Sequence, residues 1–189
     1  MTQEWRVSYA RCASCDLKLE RLWTSQKIEG YRFWILYKYN DFFKSLLYRY
    51  KGLGERALSL GFLKGVTMWF WIHFEKAAII MPPVHLMDDD RRGFSPLKEI
   101  FKHVGPCYQL FFKQGDYKQS DQSFPKRKDI GHHLRVEESQ LNTLKSYQKL
   151  VCVDDVLTSG ETMKWMLQQL KRRGFKNLHG FVLAHPTKA

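Results

Sequence analysis

Residues Lys149–Met163 read KLVCVDDVLTSGETM. Leu150–Val153 is a short apolar run of the kind that forms a buried strand, and two adjacent acids, Asp154 and Asp155, follow it. Thr158, Ser159, Gly160, Glu161 and Thr162 then make a small-residue turn. From Thr162 to Arg173 the apolar residues Met163, Met166, Leu167 and Leu170 fall at helical spacing, and Gly174 ends the helix. The strand is expected to end at Val153, so that the carboxylates and the turn emerge where open α/β sheets bind ligands, at the carboxyl ends of strands. The two halves of the motif offer different chemistry. Free amides at a helix start, with hydroxyls and a glycine that permits a tight turn, suit a phosphate monoester. Carboxylates accept hydrogen bonds and suit a sugar diol. A phosphate cradle beside diol acceptors fits a ribose 5-phosphate. The plainer reading, an acidic pair and a Thr-Ser-Gly cap that only turn the chain into a helix, accounts for less of the run. Neither GxxxxGK[ST] nor GxGxxG occurs, which removes the common nucleotide loops.

Outward from this stretch the same alternation continues. Tyr31–Tyr37 (YRFWILY) reads as a strand. Asn40 or Asp41 caps a helix from Phe42, with Phe43, Leu46, Leu47 and Tyr50 on one face, and Gly52 and Gly54 break it. Glu55–Leu63 reads as a second short helix. Ala77–Met81 (AAIIM) is a buried strand stopped by Pro82 and Pro83, and a DDDRRGF loop runs from Asp88 to Phe94. Ser95 and Pro96 open a helix that reaches about His103, Tyr108–Phe112 is a strand, and Leu178–Ala184 is the last one. Lys113–His133 is a long polar loop, a length that in a compact domain marks function or disorder. Residues 1–30 read as polar and irregular apart from CASC at Cys12–Cys15, and are set apart from a domain spanning 31–189. Strands alternating with helices predict an α/β fold with a mostly parallel sheet flanked by helices.

Composition narrows the class. Of 189 residues, 44% are hydrophobic, enough for a core and against disorder. Lys and Arg number 31 against 19 Asp and Glu, which favours a phosphate-bearing partner, whether nucleotide, nucleic acid or membrane surface. The four cysteines, at 12, 15, 107 and 152, do not space as a disulfide framework. Val66–Met81 is interrupted by His73, Glu75 and Lys76, too broken for a bilayer span. With no secretory leader visible, a cytoplasmic, reducing location is expected.

VCVDDVLTSGET resembles the phosphoribosyl-diphosphate signature of type I phosphoribosyltransferases. More of the chain is similar to ComF-type competence proteins: the early CxxC, YKYNDFFKSLLYRYKG, the strand followed by Pro and then RRGF, the loop with Gln and Arg, and the signature itself. The resemblance implies a type I phosphoribosyltransferase-like fold with a small N-terminal, degenerate zinc-ribbon-like segment. It implies that Asp154 and Asp155 bind the ribose hydroxyls and that Thr158, Ser159, Gly160, Glu161 and Thr162 bind the 5-phosphate. Arg91, Arg92 and Gly93 match the place where pyrophosphate is held, to which the planar donors of arginine are suited. Asp88, Asp89 and Asp90 either hold Mg²⁺ through water or pair with those arginines. Gln119 and Arg127 fall in the position of a flexible catalytic loop, and Lys51 matches a family lysine of no assigned role. Mg²⁺ is the implied cofactor, carried by the ligand.

The chain also departs from the family pattern. One CxxC pair stands where the family has two, so a tetrahedral zinc site would need Asp16 or Glu20 beside Cys12 and Cys15; the alternative is two ordinary thiols. Ser95 replaces the usual Asn, and PPV the usual PVP. His132 and His133 carry no assignment. The implied function is binding of phosphoribosyl diphosphate, with possible pentosyl transfer, in DNA uptake during natural competence. The alternative is a non-catalytic ligand sensor, or a protein that binds single-stranded DNA or a partner of the DNA-import machinery.

Overall fold

The computed structural model describes residues 11–84, 93–113 and 134–186. Its strands are β1 (Arg21–Ile28), β2 (Tyr31–Lys38), β3 (Ala77–Ile80), β4 (Cys107–Tyr108), β5 (Phe111–Lys113), β6 (Leu134–Val136), β7 (Lys149–Val156) and β8 (Leu178–His185). Its helices are α1 (Ala13–Lys18), α2 (Asp41–Gly52), α3 (Ser59–Phe62), α4 (Thr67–His73), α5 (Pro96–Phe101), α6 (Leu141–Leu144) and α7 (Glu161–Arg172). Six strands form one sheet in the order β1-β2-β8-β7-β3-β4. Every pairing in it is parallel except β1 with β2, and β5 and β6 make a separate antiparallel pair. The predicted α/β class with a mostly parallel, helix-flanked sheet is therefore observed.

The side-chain period of two in the central strands divides the core. Ile79, Val151, Val153 and Phe181 face α5, which buries Leu97, Ile100 and Phe101 against them. Ala78, Ile80, Leu150, Cys152 and Val182 face α7, which buries Met163, Met166, Leu167 and Leu170. The two crossovers therefore lie on opposite faces. Helix α5 carries the chain from β3 outward to β4, and α7 carries it from β7 the other way to β8. The chain thus diverges between neighbours β3 and β7, which makes a topological switch point at their carboxyl ends. Close packing on the α7 side depends on Gly180, opposite Phe33 in the register, where a Cβ would lie 2.5 Å from the buried ring.

Several expectations need correcting. Residues 11–28 are not irregular: they form α1 and the edge strand β1, which pairs antiparallel with β2 across the turn at Glu29 and Gly30. The strand of the opening motif continues three residues past Val153 to Val156. The single strand expected over Tyr108–Phe112 is two, broken at Gln109 and Leu110. Glu55–Leu63 is a 3-10 turn (Arg56–Leu58) followed by α3, and α5 stops at Phe101 rather than near His103. Among the described residues no helix is long and apolar enough to cross a membrane.

Candidate functional site

A cleft of about 300 Å³ opens at the β3–β7 switch point. One wall is the end of β7 with Asp154 and Asp155, and Thr162 of α7 stands beside them. The opposite wall is Met81–Val84 after β3 and Ser95–Leu97 at the start of α5, with Lys51, Gln109 and Lys113 completing the rim.

Each polar group has a structural reason for its place. Helix α2 begins where the Asn40 side chain accepts from the Phe43 amide at 2.9 Å. Near its other end Tyr50 is buried, and its hydroxyl donates to the Pro96 carbonyl at 2.7 Å. That anchor carries the next residue, Lys51, to the cleft, where its ammonium is 2.6 Å from Asp155 Oδ2. Gln109, where the β4–β5 segment breaks, donates through its amide nitrogen to the carbonyls of Pro82 and Phe111. A β-bridge between Val84 and Phe112, with the Lys113 amide donating to the Val84 carbonyl, fastens the same wall.

The two acids differ electrostatically. Asp154 accepts the Asp155 amide at 2.9 Å, yet burial, and after it the negative charge of Asp155, push its carboxyl well above the ordinary aspartate range. Burial also opposes ionisation of Asp155. There the Lys51 ammonium and the hydrogen bond shared with Asp154 outweigh it, and that carboxyl titrates below the usual range. The pair thus presents one firmly ionised, cation-paired carboxylate and one that holds its proton more readily.

The turn after β7 has the geometry of an anion cradle. Gly160 adopts φ 72° at the N-cap of α7, and no side chain caps that end. The first amides of a twelve-residue helix are therefore without a side-chain partner, and the helix dipole adds to their donor character. Thr158 and Ser159 are exposed and Gly160 is buried. Glu161 points its carboxylate to Lys164 at 2.5 Å, and Lys164 also reaches Glu29 in the β1–β2 turn at 3.2 Å. The Glu161 side chain thus braces the loop through Lys164.

The structure brings together Asp154, Asp155 and Thr162, with Thr158–Glu161 forming the adjoining turn. Gly93 is described, and its carbonyl accepts from the Arg56 guanidinium. Arg91, Arg92, Asp88–Asp90, Gln119, Arg127, His132 and His133 lie outside the described residues. Cys12 and Cys15 do not line the cleft; their sulfurs are 3.4 Å apart. The carboxylates that would complete a zinc site with them are engaged: Asp16 with Arg11 and Lys64, Glu20 with Lys38 and Asn40. Among the described residues no group of three or more His, Cys, Asp or Glu side chains is placed to hold a metal ion. Cys152 is buried in the sheet, and burial pushes the Cys107 thiol up to about 11. Two contributors lacked a sequence assignment. Lys51 gains its place from Asp155, a partner distant in sequence, and Gln109 sits in the break between β4 and β5 instead of within a strand. The signal for Gln109 was a lone polar residue in the apolar run CYQLFF.

No model of a known protein family matches the chain. The search of curated proteins likewise returns no match.

Proposed function

We propose that this chain is a phosphoribosyltransferase-like protein that binds phosphoribosyl diphosphate in the β3–β7 crevice. The observation that carries the reading is the adjacency, on one strand-turn-helix, of the carboxylate pair Asp154–Asp155 and the uncapped N-terminus of α7. The 5-phosphate takes the amides of the Thr158–Thr162 turn. The ribose hydroxyls donate to the two carboxylates, and Asp155 exchanges part of its pairing with Lys51 for them. The pyrophosphate extends toward the segment after β3, where Lys51 and Lys113 supply positive charge and where Arg91, Arg92 and Gly93 follow in sequence. Mg²⁺ in this reading would come with the pyrophosphate, and its charge would offset that of the departing group. Type I phosphoribosyltransferase architecture and a role in DNA uptake during competence rest on the resemblance of VCVDDVLTSGET and of the wider order of motifs.

Calorimetric titration with phosphoribosyl diphosphate and Mg²⁺ tests the binding. Wild type is expected to bind, and Asp154→Asn/Asp155→Asn to bind at least about tenfold more weakly, a loss of about 1.4 kcal/mol. Absence of binding by wild type refutes the proposal. Pyrophosphate release across a panel of nucleobases and amines then tests transfer, because the cleft's described residues do not single out an acceptor.

A further inference from the structure

Helix α4 lies outside the cleft and carries the sequence TMWFWIH. At about 100° per residue, its surface divides into three arcs. Phe70, with Phe74 just beyond the helix, turns into the core, and Trp69 and His73 stack on each other and meet Trp34 edge-on. Trp71, Met68 and Ile72 occupy the remaining arc and are 47%, 73% and 70% exposed. One edge of the arc is pinned by the Trp71 indole, which donates to the Val104 carbonyl at 3.1 Å. The other runs into Trp23, itself 36% exposed and 4.9 Å from Trp69. A two-turn helix thus shows solvent a ridge of two aliphatic side chains and an indole, held in place by contacts behind it.

The rim of this ridge is cationic. Arg21 reaches the Lys64 carbonyl, Arg32 lies over Trp34, Lys149 donates to the His73 carbonyl, and Lys76 follows the helix, its backbone carbonyl accepting from the Gln148 amide. Lys102 precedes the His103–Val104 corner that holds Trp71. Among the described residues Arg21 and Lys64 pair with Asp16 and Lys102 pairs with Glu99, which leaves Arg32, Lys76 and Lys149 against Glu75, in a chain of formal net charge +12.

We propose that the α4 face docks this protein on an anionic lipid bilayer surface, with Met68, Trp71 and Ile72 entering the interface and the surrounding cations meeting the headgroups. Apolar side chains beside indole and flanking cations are what the water–bilayer boundary favours. A second copy of the chain fits less well. A twofold interface would set this positive rim against itself, and three side chains fall far short of the roughly 800 Å² per partner of a stable dimer. Single-stranded nucleic acid needs open aromatic faces. The rings of Trp34, Trp69 and His73 are packed against one another, Trp71 is a single indole tied by its N–H to the Val104 carbonyl, and Met68 and Ile72 offer nothing to stack.

Vesicle co-sedimentation of the full chain tests the assignment, using phosphatidylcholine with and without phosphatidylglycerol. Binding is expected to the anionic vesicles, to weaken as salt is raised, and to fall about tenfold or more in Met68→Ser/Ile72→Ser. Leu53→Ser, which removes another exposed apolar side chain elsewhere, should leave it intact. Trp71 emission should shift to shorter wavelength on binding, a signal lost in Trp71→Phe. No binding to anionic vesicles, or binding indifferent to the double substitution, overturns the proposal. So does a dimer, or an oligonucleotide complex, that the same double substitution abolishes in the absence of vesicle binding.

Discussion

Asp154 and Asp155 are chemically identical neighbours that the fold makes different. Lys51 neutralises one, while burial and its neighbour's charge penalise ionisation of the other. The sign of each effect on stability follows by linkage. Asp155 has a lowered folded pKa, so it contributes stability above the ordinary carboxylate range and loses it as pH falls through its folded value. Asp154 has a raised one, so ionising it costs stability as pH rises from about 4, the ordinary aspartate value, toward its folded value. Asp154→Asn removes that cost. Its melting temperature should exceed that of wild type at neutral pH, with the gap closing as the pH is lowered toward 4, while its ligand affinity falls. Thermal melts across that range check this, and a variant less stable than wild type at neutral pH refutes the electrostatic assignment. Lys51→Met should act oppositely, lowering the melting temperature at neutral pH because it leaves Asp155 buried without its cation. Spacing alone puts these acids after an apolar strand, and the fold carries both to the cleft wall. The partner of Asp155 was hidden, because Lys51 and Asp155 are 104 positions apart.

At the scale of elements, legibility followed burial. The Leu150–Val153 part of β7 and most of β8 are apolar because both faces are covered, and both were readable. β1 is an edge strand whose side chains are mostly exposed, so RLWTSQKI carries no run of apolar residues and read as irregular. Helix α4 was obscured for the opposite reason: TMWFWIH is apolar all round, so helical period and strand-like run are indistinguishable. The extension of β7 to Val156 was invisible because ladder pairing with β8, through Val156 and Ala184, overrides the polarity of the two acids. The turn into α7 was legible through its glycine. Gly160 holds φ 72°, and a Cβ there would also sit 3.3 Å from Leu157 Cδ1. Gly160→Ala should cost roughly 1–2 kcal/mol and weaken phosphate binding by more than it lowers stability, since the amides it aims would turn away. Gly180→Ala tests packing without touching the cleft. Its added methyl meets the Phe33 ring between two covered strands, and a loss of about 1–3 kcal/mol is expected. Denaturant unfolding of both variants checks the figures, and a neutral Gly180→Ala would show that the Phe33 ring can yield.

At the scale of the molecule, the crevice is where the two cores part. The α5-side core and the α7-side core meet across the sheet, and the cleft lies at the strand ends from which their crossovers diverge. A ligand with phosphate on the α7 amides and pyrophosphate toward the segment after β3 would bridge both walls, and only the folded chain offers both. Binding must then raise stability by mass action, by about 2.7 kcal/mol at a ligand concentration a hundredfold above Kd. For a chain of this size each kcal/mol moves the midpoint about 2–4 °C. Phosphoribosyl diphosphate with Mg²⁺ should therefore raise the melting temperature by roughly 5–10 °C. Inorganic phosphate alone, which reaches only the turn, should raise it much less at equal concentration. Pyrophosphate alone, reaching only the other wall, should also fall short. In Asp154→Asn/Asp155→Asn the increment from the intact ligand should collapse toward that of phosphate, because the sugar that links the two ends is no longer held. Scanning fluorimetry with the three ligands decides it. A shift from phosphate equal to that from the intact ligand, or one that survives the double substitution, would mean that the carboxylates take no part and that the chain binds a bare anion.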